Sequence, residues 1–129
     1  DMLSELTDQG RQLYLATSRD RHTMRLTLDK LGLTNTFLKH VTVTCVKEIG
    51  GLNKPSADMI HFLVNNHQLC TDNAIVVGDT THDIGMAKAA GLPVIAIMHG
   101  SHDRERLQAA DPDHMVENIR ELKQLLLKL

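Results

Sequence analysis

The sequence predicts an α/β fold in which a mostly parallel sheet is covered by helices on both faces. Two observations predict it. Short apolar or β-branched runs alternate regularly with helical segments along the chain. One of these runs, Ile75, Val76 and Val77, meets a glycine, then two carboxylates, Asp79 and Asp83, and then an Ala/Gly-rich helical stretch, as expected where a buried strand ends and its chemistry begins. There is no internal repeat, no low-complexity tract and no long linker, so residues 1–129 are expected to form one domain.

The elements follow in order. Over residues 2–10, Met2, Leu3 and Leu6 fall at helical spacing and Gly10 supplies a stop. Residues 13–16 are short and apolar and run into Thr17, Ser18, Arg19 and Asp20, which predicts a strand ending in a polar loop. Residues 22–31 carry Met24, Leu28 and Leu31 on one helical face, closed by Gly32. Residues 41–46 alternate valine with threonine and predict a second strand. Residues 47–54 form a loop containing Gly50, Gly51 and Asn53, and Pro55 fits the first turn of a helix through Met59, Ile60, Leu63 and Val64. Residues 74–79 are the third strand, 84–90 a helix stopped by Gly91, and 93–98 the fourth strand. After a Gly100-Ser101 turn, residues 104–110 and 116–129 complete the chain as two helices.

Composition narrows the function. A chain of 129 residues buries a core without disulfides or a structural metal. A net charge of −2, with only Tyr14, Phe37 and Phe62 as aromatics, argues against nucleic-acid binding. Cys45 and Cys70 are isolated, which suits a reduced, cytoplasmic protein, with Cys45 as a small apolar strand residue. No apolar run is long enough to span a membrane. The chain opens at Asp1 without an initiator methionine, as a fragment or a processed product would.

In this architecture ligands gather at the carboxyl ends of the strands. Thr17, Ser18, Lys54 and Asp79 are therefore expected to converge. Asp79 and Asp83 offer hard oxygen donors suited to Mg2+, although both are also ordinary helix-entry residues. Lys54 places a point charge where a phosphate would need one, and Thr17 supplies a hydroxyl before a helix start, unless it merely caps that helix. Together these are the parts of a phosphoryl cradle. His99 and His102 straddle a turn without a third ligand and are expected to be solvated, and His82 has no assigned role. Asp58 is expected to be a first-turn carboxylate.

At these residues the chain resembles the haloacid dehalogenase superfamily, in its phosphoglycolate-phosphatase-like branch. Leu13-Tyr14-Leu15-Ala16-Thr17-Ser18-Arg19 is similar to the second motif, Asn53-Lys54-Pro55-Ser56-Ala57-Asp58 to the third, and Val77-Gly78-Asp79-Thr80-Thr81-His82-Asp83-Ile84 to the fourth. The resemblance implies a Rossmann-like three-layer sandwich and a Mg2+-dependent phosphate-monoester hydrolase acting on a small phosphorylated metabolite. Its implied site is Thr17, Ser18 and Lys54 around the phosphate, with Thr17 and Lys54 catalytic and Asp79 and Asp83 on the metal.

The family's first motif, a central strand ending in Asp-x-Asp whose first aspartate is the nucleophile, has no counterpart here. Asp111-Pro112-Asp113 lacks an apolar strand before it and is expected to be a surface turn. The resemblance thus implies a core without its first strand and cap, little turnover from these 129 residues alone, and an exposed sheet edge open to a second copy. The alternative is an inactive remnant that binds phosphate or a protein partner. A phosphoacceptor receiver domain shares the inventory but places its acidic residues first.

Overall fold

The computed structural model describes residues 2–45, 53–98 and 103–129. The expected loop over residues 47–54 falls mostly outside them, as do the Gly100-Ser101 turn, His99 and His102. The chain divides into two compact units, Asp1–Gly51 and Leu52–Leu129, each described by itself.

The first unit contains α1 (Met2–Asp8), β1 (Leu13–Thr17), α2 (Arg21–Lys30), α3 (Thr34–His40) and β2 (Val41–Cys45). β1 and β2 pair in parallel from Leu13 opposite Val41 to Thr17 opposite Cys45. Helix α2 begins at Asp20, whose side chain accepts the Thr23 N–H at 2.7 Å. It ends at Gly32, whose φ of +68° lets Leu33 N–H reach back to the Leu28 carbonyl at 2.9 Å. Met24 and Leu28, one turn apart, are its buried stripe, and Leu6, Val41 and Cys45 are buried as well. Helix α3 was not expected from the sequence; its end is tied to α1 by the Ser4 Oγ to His40 Nε2 contact of 3.3 Å.

The second unit contains α4 (Asp58–His67), a 3-10 turn (Thr71–Asn73), β3 (Val76–Gly78), α5 (Thr81–Ala89), β4 (Val94–Ile97), α6 (Arg104–Ala109), β5 (His114–Val116) and α7 (Ile119–Lys128). Its three strands are parallel in the order β3-β4-β5, with Val76 opposite Val94 and Ile97 opposite Val116. Every residue of the central β4 is buried. Val94 and Ala96 join Ile84, Ala87 and Leu107 in one apolar cluster. By the two-residue period Ile95 and Ile97 point the other way, and they are buried too, so β4 is covered on both faces as a parallel strand requires.

Three boundaries differ from the sequence expectation. Pro55 lies in a turn closed by Ser56 N–H on the Asn53 carbonyl at 3.0 Å, and the helix begins only at Asp58. Helix α5 begins three residues earlier than expected, because Thr80 caps it and draws Asp83 into the first turn. Residues 116–129 are not one helix: β5 comes first, held by the Met98 N–H to Val116 carbonyl bond of 2.9 Å, and α7 starts after Asn118, which caps it through Glu121 N–H.

Candidate phosphate and metal site

In the second unit the backbone leaves β3 at Gly78 and presents Asp79, half-buried, one residue past the strand. No hydrogen bond or ion pair engages the Asp79 carboxylate among the described residues. Thr80 follows in extended conformation and caps α5: its Oγ1 accepts the Asp83 N–H at 3.2 Å and donates to Asp83 Oδ2 at 3.0 Å. This reciprocal pair satisfies one free helix-start amide and fixes the rotamer of Asp83 at the same time.

Asp83 is buried, with its residue 7% exposed, and carries a compensating charge. Lys54 Nζ lies 2.5 Å from Oδ1, and the two side chains are 17% and 10% exposed. A carboxylate in this position is feasible because residue 78 has no side chain. A Cβ built on Gly78 would stand 2.2 Å from Asp83 Cβ and 2.6 Å from its Cγ, an overlap that no small adjustment relieves.

Lys54 itself rides on the turn before α4. Its amide donates to Asn53 Oδ1 at 2.8 Å, the Lys54-Pro55 peptide is cis, and Ser56 Oγ accepts the Asp58 N–H at 3.2 Å. Asp58 sits in the first turn of α4, as expected.

In the first unit Thr17 is the last residue of β1. It does not cap α2, since Asp20 does. Instead Thr17 Oγ1 accepts the Arg19 N–H at 3.1 Å, a local turn that sets the strand-to-helix loop, with Ser18 exposed beside it. Arg19 itself donates to Thr27 Oγ1 at 3.1 Å.

Asp111-Pro112-Asp113 forms a turn in front of β5, with Asp111 at φ +58°, and Asp113 Oδ2 accepts the Val94 N–H at 2.8 Å. It joins two strand starts and follows α6, not an apolar strand.

The structure thus brings together Lys54 and Asp83 directly. It adds roles for two residues that the sequence reading quoted without assigning any, Thr80 and Gly78. The signal for Thr80 was present: a threonine three residues before an acidic residue and just ahead of an apolar run is a helix-start signature.

Among the described residues no three His, Cys, Asp or Glu side chains gather as a metal-binding group. Two carboxylates, Asp79 just before α5 and Asp83 in its first turn, nevertheless offer the oxygen donors that a hard cation takes. Mg2+ keeps several waters and needs only one or two protein carboxylates. Asp79 offers an unengaged one, and each Asp83 oxygen retains a lone pair beyond its bond to Lys54 or Thr80.

The chain is similar to known proteins over most of its length. A family model described as haloacid dehalogenase-like hydrolase matches residues 1–97. A pyrophosphatase of Bacillus velezensis is 29% identical over 95% of this chain and 55% of its own length. A phosphoglycolate phosphatase of Aliivibrio fischeri is 27% identical over 98% of this chain and 54% of its own. The crystal structure of a predicted phosphatase from Clostridium acetobutylicum superposes with a TM-score of 0.79 at 29% identity, covering 99% of this chain and 57% of that one. The chain therefore spans about half the length of the curated relatives it matches.

Proposed function

The chain belongs to the haloacid dehalogenase-like hydrolase family, and on that premise we propose that it is the core portion of a Mg2+-dependent phosphate-monoester hydrolase of the phosphoglycolate-phosphatase-like type. The observation that carries this reading is the Lys54 ammonium 2.5 Å from the buried Asp83 carboxylate, on the helix that follows the unengaged Asp79. A structural ion pair accounts for Lys54 and Asp83 but leaves Asp79 without a purpose; a site for a cation and a phosphate gives all three one.

The proposed roles follow from the chemistry of each group. Thr17 and Ser18 donate hydroxyl and amide hydrogens to phosphoryl oxygens at the start of a helix. Lys54 opposes the phosphoryl charge and holds Asp83 in place. Asp79 and Asp83 would hold Mg2+, which when bound supplies Lewis-acid neutralisation of the phosphoryl oxygens. Thr80 fixes Asp83.

The 129 residues contain no Asp-x-Asp after an apolar strand, so we assign the nucleophile and the general acid to a segment outside them. There an aspartate carboxylate would form the new P–O bond, the alcohol would leave with the proton of the general acid, and water would then release phosphate from the aspartyl-phosphate. The family model runs through both units, from residue 1 to residue 97, which supports treating them as parts of one core domain. Cys45 and Cys70 lie outside any disulfide, which supports a reducing, cytoplasmic setting, and no helix among the described residues is long and apolar enough to cross a membrane. A small phosphorylated metabolite is the proposed substrate class, on the strength of relatives named for phosphoglycolate and pyrophosphate.

Calorimetry tests the reading on the chain itself. Inorganic phosphate should bind in the presence of Mg2+, and Asp79→Asn should weaken that binding at least tenfold, to the level seen with chelator. Hydrolysis of a generic aryl phosphate should be absent from the 129 residues and present in a polypeptide that carries the Asp-x-Asp strand ahead of them. Brisk Mg2+-dependent hydrolysis by the 129 residues, abolished by Asp79→Ala, would overturn the assignment of the nucleophile.

A further inference from the structure

We propose that Gly85 is a positioning residue for Lys54: the absence of a side chain at this point of α5 seats Pro55 against the helix, and that seat delivers the lysine to Asp83. The inference deepens the function proposed above and rests on the role assigned there to Lys54.

Gly85 lies in the interior of α5, where glycine is the least favoured residue short of proline. Its φ is not in the left-handed region, so the backbone there does not call for glycine. The space does. A Cβ built on Gly85 would stand 2.8 Å from Pro55 Cβ, closer than real Cβ atoms come, whereas the next Pro55 atoms are at 3.9 Å.

Pro55 is exposed, so this contact is not a piece of the apolar core. What it fixes is its neighbour. Lys54 precedes Pro55 directly, and its Nζ lies 2.5 Å from Oδ1 of Asp83, two residues before Gly85 on the same helix. The turn is therefore pinned to α5 at two adjacent points, by a backbone-level contact at Gly85 and by an ion pair at Asp83.

A lysine side chain is long and flexible, and without a fixed base its ammonium would sample many positions. With the base fixed, one geometry is retained for both the carboxylate and an incoming phosphoryl group. Alanine at 85 would force Pro55 to retreat by about half an ångström or more before reaching the 3.4 Å of ordinary contact, and Lys54 would move with it.

Residue-resolved acetylation of lysines, read by mass spectrometry, tests this without any ligand. Lys54 should react slowly in the unaltered chain, and Asp83→Asn should accelerate it, which shows that the label reports the ion pair. Gly85→Ala should raise the Lys54 rate at least threefold relative to Lys88 on the same helix. Lys88 is 43% exposed and 3.7 Å from an exposed Asp111, so it reacts freely in every variant and serves as the reference for reagent dose, while a general loosening is recognised by faster labelling of the other protected lysines as well. Pro55→Gly removes the atom that the new methyl would meet, so that background folds without overlap even if Gly85→Ala alone does not. Pro55→Gly should itself accelerate Lys54, and adding Gly85→Ala to it should change nothing further.

An unchanged Lys54 ratio in Gly85→Ala, or a further rise in the Pro55→Gly background, would overturn the inference. In the unaltered chain, failure of phosphate to bind would count against the proposed function, and the labelling ratio would still decide the positioning role. With both in place, Gly85→Ala should weaken Mg2+-dependent phosphate binding about tenfold.

Discussion

Replacing Lys54 with methionine keeps an unbranched side chain, one atom shorter, and removes its charge. It strands the Asp83 carboxylate, whose side chain is 10% exposed, beside an apolar neighbour. Removing one partner of a fully buried ion pair costs about 3–5 kcal/mol. Asp83 would keep its hydrogen bond from the Thr80 hydroxyl at 3.0 Å and a small opening to water. The expected loss is therefore smaller, about 2–3 kcal/mol. At an unfolding entropy of about 2.1 cal/mol/K per residue, a chain of 129 residues melting in one transition should lose roughly 7–11 °C. The assay is thermal melting by circular dichroism with chelator present, so that no divalent cation substitutes for the lysine. Asp83→Asn in the Lys54→Met background removes the stranded charge while keeping the shape and the Thr80 contact, and it should recover most of the loss. A Lys54→Met chain melting within about 2 °C of the unaltered one would refute the argument, as would a double variant no more stable than the single.

Two further outcomes follow from the same accounting of polar groups. Thr80→Val removes both the cap on α5 and the donor to Asp83 Oδ2, and should cost about 1–2 kcal/mol in urea unfolding, with Thr80→Ser retaining nearly all of it; equal losses from valine and serine would contradict the capping role. Asp113→Ala leaves the fully buried Val94 N–H without its acceptor, so about 1–3 kcal/mol should be lost and the Val94 amide should exchange faster with solvent, whereas unchanged exchange would place the protection elsewhere.

The strands were legible because β-branched and apolar runs of the right length leave few alternatives. Residues 41–46, 74–79 and 93–98 each contain an observed strand shorter than the run that announces it, and residues 13–16 lie within a strand that runs on to Thr17. Two elements were not legible, for opposite reasons. Helix α3 is Thr-Asn-Thr-Phe-Leu-Lys-His, seven residues of mostly weak helix formers with no side-chain cap, and its lasting form depends on packing against α1 and α2. β5 is only three residues, and its identity comes from pairing with β4, which no local pattern can show. The boundary it displaced could have been placed, since Asn118 caps α7 through Glu121 N–H at 2.9 Å while Glu121 Oε2 accepts the Glu117 N–H at 2.7 Å.

For the site, the carboxylates were readable and their supports were not. Asp79 and Asp83 stand out because acidic residues at a strand end must go somewhere charged or wet. That Lys54 is the charge for Asp83 is a tertiary fact, since the two residues lie on separate elements. The most informative omissions are the glycines. Reading by residue type treats glycine as punctuation, a stop for a helix or slack in a loop, and that served for Gly32 and Gly91, both at positive φ. Gly78 and Gly85 are different, with no positive φ. Each marks a place where another residue occupies the volume a Cβ would need, the Asp83 side chain in one case and Pro55 in the other. A buried carboxylate bound to a lysine therefore depends on two missing side chains as well as on two charged ones. A glycine that interrupts a helix or closes a strand beside acidic residues is best read as the imprint of a neighbour, and the physical question it raises is which group has come that close.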